Sequence, residues 1–104
     1  MVRRKSAQGQ PVHPGQILFT RYVTPLGVTQ RAVARALGVH VSQVNSVILG
    51  DRGVSADLAL RLARVLGTTP RYWLDLQQRW DLAQVQQSAA GKRIARLKRL
   101  TRKR

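Results

Sequence analysis

Apolar side chains recur at spacings of three and four from Ile17 to Ala83, and no run alternates long enough to suggest a strand. The pattern predicts helices throughout. Pro14 suits the first position of a helix, because its ring fixes φ and the N–H it lacks has no partner there. Ile17, Leu18, Tyr22 and Val23 form the inner stripe of this first helix, and Thr24-Pro25-Leu26-Gly27 ends it. Thr29 is a good cap for a second helix running to about Leu37, with Val33, Ala34 and Leu37 inward. Gly38 stands where the chain must turn sharply, at positive φ. A third helix covers about His40 to Leu49, with Val44, Val47 and Ile48 on its buried side, and Gly50-Asp51-Arg52-Gly53 is a loop.

Ser55 caps a fourth helix that ends at Gly67, with Leu58, Leu62, Ala63 and Leu66 as its inner stripe. Thr69 and Pro70 open a fifth by the same logic. Trp73, Leu76, Trp80 and Ala83 line one side of it, and it runs to about Gln87. Ser88 to Gly91 reads as a break. The chain thus divides into a basic arm over residues 1–10, an all-α five-helix domain over residues 11–87, and a basic tail over residues 88–104. Ile94, Leu97 and Leu100 lie among the tail's cations, so it suits either a basic amphipathic helix formed on a partner or a disordered segment.

Charge changes the picture. Nineteen Lys and Arg face four acidic residues in 104, a net charge of +15. Eight of the nineteen lie between Lys92 and Arg104, yet residues 1–91 still carry +7. Polyanion binding is therefore expected of the body as well as the tail, with nucleic acid the commonest partner and an anionic membrane surface the main competitor. The chain has no cysteine, so disulfides and thiolate chemistry are excluded. Two histidines and four scattered acids offer no metal site, and no cofactor motif is present. No apolar run approaches the roughly 20 residues that span a bilayer. Met1-Val-Arg-Arg-Lys has no apolar stretch behind it, so the cytoplasm is the expected location. Ser-His-acid, paired-carboxylate and phosphate-loop patterns are all missing, which argues against an enzyme.

Two short helices joined at Gly38, in so basic a chain, match a helix-turn-helix that reads DNA in the major groove. Readout needs short polar side chains on the first turns of the helix in the groove. The third helix supplies Val41, Ser42, Gln43, Asn45 and Ser46 on its outer side. Val41, Ser42, Gln43 and Ser46 are the base-reading candidates: Gln43 for an adenine edge, the serines to donate or accept, Val41 for a thymine methyl. Gln30, His40, Asn45 and Arg52 flank them and are the phosphate candidates, with Arg31 and Arg35 on the exposed face of the second helix as further cations. Trp73, Leu76 and Trp80 fit either the core or the seam of a two-fold dimer, one ring for each task.

The ordered set His13-Pro14-Gly15, Leu26-Gly27, Ala34 to Gly38, Gly50 to Gly53, Ala59 to Leu62, Leu66-Gly67, Trp73-Leu74 and Leu76-Gln77 resembles the HigA-type (VapI-like) antitoxins of the Xre, or Cro/CI-like, helix-turn-helix group, over about residues 11–83. The resemblance implies a lambda-repressor-like fold and a homodimeric repressor that binds a palindromic operator at its own promoter. It also implies a cognate toxin, a RelE/HigB-like mRNA endonuclease that the antitoxin neutralises. On that pattern Val41, Ser42, Gln43 and Ser46 match base-facing positions and Gln30 matches a phosphate-binding glutamine. The chain departs from the pattern at Gln16, where relatives carry Glu, at Trp80-Asp81-Leu82, and in its tail. RelE-like toxins are themselves basic, so a +15 partner gains little attraction. Two alternatives therefore stay open: a stand-alone Xre-type regulator, and a non-specific nucleic-acid-binding module acting through the tail.

Overall fold

The computed structural model describes residues 10–102, so nearly all of the expected N-terminal arm and the last two residues of the tail lie outside it. The described residues form six helices and no strand. Helix α1 is continuous over Pro14–Leu18, Phe19–Val23 and Thr24–Leu26, its middle five residues π-wound. Then follow α2 (Gln30–Leu37), α3 (Val41–Leu49), α4 (Ala56–Leu66), α5 (Pro70–Gln86) and α6 (Ala89–Ala95).

Side chains start five of the six. The N–H groups of Gly15, Ala32, Leu58, Tyr72 and Gly91 donate to His13 Nδ1, Thr29 Oγ1, Ser55 Oγ, Thr69 Oγ1 and Ser88 Oγ, at 2.9 to 3.3 Å. Each bond satisfies a donor that the first turn of a helix leaves without a partner. Helix α3 is the exception, since His40 at its N-cap makes no side-chain capping bond.

The π-turn has a sequence cause. Pro25 offers no N–H, and its ring displaces the carbonyl four residues back, so the preceding turn widens and Thr24 N–H bonds Phe19 O instead. Leu18 and Val23, five residues apart, consequently both face the core, while Ile17 and Tyr22 pack at its edge. The core itself gathers Leu37, Val44, Val47, Leu58, Leu62 and Trp73 from α2 to α5.

Two glycines permit close approaches. A Cβ at Gly15 would land on the carbonyl of Val47, so the first turn of α1 meets the last turn of α3 backbone to backbone. A Cβ at Gly91 would strike the carbonyls of Val85 and Gln86. This corrects the reading of residues 88–91 as a break: the junction is confined to Gln87 and Ser88, and Gly91 lies inside a sixth helix that folds back on α5. From Leu97 to Arg102 the chain has no regular structure and is exposed.

Candidate nucleic-acid interface

Helices α2 and α3 cross at 114°, within the range of helix-turn-helix corners. The corner has three residues, Gly38, Val39 and His40. Gly38 sits at φ 72°, the left-handed region that costs a side-chain-bearing residue most, and its N–H returns to α2. Val39 N–H bonds Ala34 O at 3.0 Å, which closes the turn.

Helix α3 divides by depth, although Ile48, expected on its buried side, is only half-buried. Val44 and Val47 are buried, at 2% and 0% exposure. Ser42 and Asn45 are exposed, and Val41, Gln43, Ser46 and Ile48 are half-buried. Of the four base-reading candidates Val41 packs partly against the core, Ser42 is exposed, and Gln43 and Ser46 keep part of their surface. The Ser46 carbonyl accepts from Asp51 and Arg52 N–H at 2.9 and 3.2 Å, which holds Arg52 at the far end of the helix with its side chain exposed. Gln30 is half-buried at the start of α2, and His40, Arg31 and Arg35 are exposed. An open cleft of about 620 Å³ runs between α2 and the start of α3, lined by Arg31, Arg35, His40, Gln43, Asp57 and Arg61 among others.

The two tryptophans part company. Trp73 is wholly buried, donates its indole N–H to Thr68 Oγ1 at 2.7 Å, and packs against Tyr22 and Tyr72. That assigns it to the core and removes it from any dimer seam; Leu76 packs beside it, half-buried. Trp80 stays half-buried, edge-on to His13 with ring centroids 5.3 Å apart. His13 is buried, and its capping Nδ1 accepts a hydrogen bond, so the neutral ring carries its proton on Nε2. Burial pushes the imidazole below its ordinary range, against the opposing pull of Asp81.

Two residues within the family-like segments have roles that the sequence did not disclose. Gln77 on α5 accepts Val54 N–H at 2.7 Å and donates to Asp81 at 2.9 Å, tying the loop after α3 to α5. Arg61 on α4 donates to the carbonyls of Leu37 and Gly38 across the corner. In the sequence Arg61 is half of an ordinary i, i+4 pair with Asp57, and nothing local signals its distant partners.

A helix-turn-helix family model matches residues 21–73, from within α1 to the buried Trp73. The chain is 41% identical over 76 residues to virulence-associated protein I of Dichelobacter nodosus, covering 73% of this chain and 70% of that protein. It is 39% identical over 78 residues to antitoxin HigA-1 of Vibrio cholerae, covering 75% and 73%. The chain belongs to the Xre-type helix-turn-helix family of VapI- and HigA-like proteins. A solved member of this family, antitoxin GraA in complex with its operator, superposes with a TM-score of 0.81 at 38% identity, over 98% of this chain and all of that one. The expected all-α architecture and family both hold, with one helix more than the five expected.

Proposed function

We propose that this chain is a DNA-binding repressor of the antitoxin class, a binding protein and not an enzyme, which reads an operator through α3. The carrying observation is the division of α3: Val44 and Val47 are buried, while Ser42 and Asn45 are exposed and Val41, Gln43 and Ser46 keep part of their surface, in a chain of +15 net charge. Val41, Ser42, Gln43 and Ser46 read base edges. Gln30, His40, Asn45 and Arg52 hold phosphates. The start of α3, with no side-chain cap, leaves backbone N–H groups for an anion. The operator complex of GraA supports this reading by likeness.

Two copies bind a palindrome, each α3 entering one major groove with half-site centres about one DNA turn apart. Trp80 is the ring left with free surface for the seam between them. The partner toxin is a RelE/HigB-like mRNA endonuclease, and the protein acts in the cytoplasm. A stand-alone regulator is the second reading, favoured by the net charge of +15, which repels a basic toxin.

Competition binding tests the core of this. A duplex selected from a random library should outcompete scrambled DNA by about a thousandfold at physiological salt. Gln43→Ala should relax preference at one base pair by roughly 1–3 kcal/mol. Uniform weakening on every duplex would instead make Gln43 a phosphate contact. Co-expression with the product of an adjoining gene separates the readings: rescue of growth from a toxic product supports the antitoxin, and no toxicity supports the stand-alone regulator.

A further inference from the structure

The last carbonyls of a helix have no partner inside it. At the end of α2 the N–H groups of Gly38 and Val39 meet the carbonyls of Ala34 and Arg35, and the carbonyl of Leu37 is taken up from α4. Arg61 Nη1 donates to Leu37 O at 2.8 Å and to Gly38 O at 3.3 Å. Its Nε donates to Asp57 Oδ1 at 2.6 Å, one turn earlier on α4. One planar guanidinium thus joins α4 to the corner between α2 and α3, and Asp57 fixes the direction of the fork. The place suits a cation, because the C-terminal end of α2 carries partial negative charge. Gly38 also makes room: a Cβ there would stand 3.1 Å from Nη1.

As an ion pair this arrangement stabilises little, since the Arg61 and Asp57 side chains are 41% and 71% exposed. Its consequence is geometric. Val44 and Val47 anchor the middle and the end of α3; its first turn has no side-chain cap and is held by the partial burial of Val41 against the core and through the corner. That turn carries Val41, Ser42 and Gln43. Hydrogen-bond readout tolerates displacements of only about 0.5 Å and 10–20°. Long-range attraction to phosphate tolerates far more.

We propose that Arg61, oriented by Asp57, is a positioning residue for DNA reading: it sets the pitch of the first turn of α3, and so the discrimination between operator and other DNA, without touching a base. The proposal rests on the DNA-reading function given above.

The test measures binding of a library-selected duplex and a scrambled one over a range of salt, for the wild-type chain, R61K, R61M and D57N. Lysine keeps the charge but not the fork. R61K should therefore hold scrambled-DNA affinity and salt slope close to wild type, while the selected-to-scrambled ratio falls about tenfold, a part of the discrimination a base-reading contact supplies. D57N, which leaves the carbonyl bonds in place, should move the ratio the same way by less, and it carries the test should either Arg61 variant fail to fold by circular dichroism. An unchanged ratio in both R61K and D57N overturns the proposal. So does equal weakening on both duplexes in R61M with a salt slope lowered by about one, the mark of a direct phosphate contact. A wild-type chain without preference for any duplex would instead overturn the DNA-reading function itself, and this proposal with it.

Discussion

His13 performs a capping task usually left to serine or threonine, and the exchange has a pH consequence. Its Nδ1 must stay unprotonated to accept Gly15 N–H, and the ring lies between Trp80 and the backbone of Gly50. Burial lowers its pKa below 6.5, outweighing Asp81, the one charged group among the described residues that acts on it. In the unfolded chain the imidazole takes up a proton near pH 6.5, while in the folded chain it does so only at lower pH. The unfolded state therefore binds more protons between those two values, and stability is lost as pH falls across that window. The contribution is complete above about pH 6.5 and fully lost once pH drops below the folded value. Urea midpoints should hold above about pH 6.5 and fall as the pH is lowered below it. In His13→Asn, where a capping side chain remains but nothing titrates there, that slope should flatten. A slope that survives the substitution would move the cause to other groups.

Capping chemistry is local, which is why Thr29, Ser55, Thr69, Gly38 and Gly67 could be read from the sequence as the ends of α2, α4 and α5. Features that depend on a second element could not. Thr24 to Gly27 ends α1 as its sequence predicts, but the π-wound turn that Pro25 imposes before it was not legible. Ser88 carries the same signal as Ser55, masked by Gly91, whose purpose is its approach to the carbonyls of α5. Trp73 and Trp80 share a helical face by spacing, yet only the first lies wholly within the core. The outward side of α3 was legible because the burial of Val44 and Val47 fixes it, whereas Arg61 acts on residues 23 and 24 positions away. Gly15 belongs to the same illegible class, and it yields the sharpest element-level expectation. In Gly15→Ala the new methyl group meets the Val47 carbonyl, and neither backbone can yield without separating α1 from α3. Overpacking of this kind should cost about 3 kcal/mol in urea denaturation. Because α3 shifts with it, operator affinity should fall more than affinity for scrambled DNA. A stable variant with normal binding would show that α1 does not set the seat of α3.

At the scale of the whole molecule the cations have two different addresses. The described residues extend 61 Å along one axis against 31 and 21 Å along the others. α6 packs on α5, and from Leu97 onward the described tail is exposed. From Leu82 onward the sequence has no acidic residue, so the tail carries no opposing charge of its own. Cations on the exposed, irregular stretch from Leu97 to Arg102 can add attraction to any duplex but lack the rigid helix that holds side chains against base edges. Ending the chain after Arg96 keeps α6 whole and removes five Lys and Arg, among them Lys98, Arg99 and Arg102. Each phosphate that goes without its cation lowers the slope of log affinity against log salt by about 0.9, so the slope should fall by up to about 4.5. Affinity for operator and scrambled DNA should drop together, leaving their ratio unchanged. A truncated chain that kept its affinity for scrambled DNA but no longer preferred the operator would reverse this division of labour. The tail would then be reading sequence, and α3 would be no more than a scaffold for it.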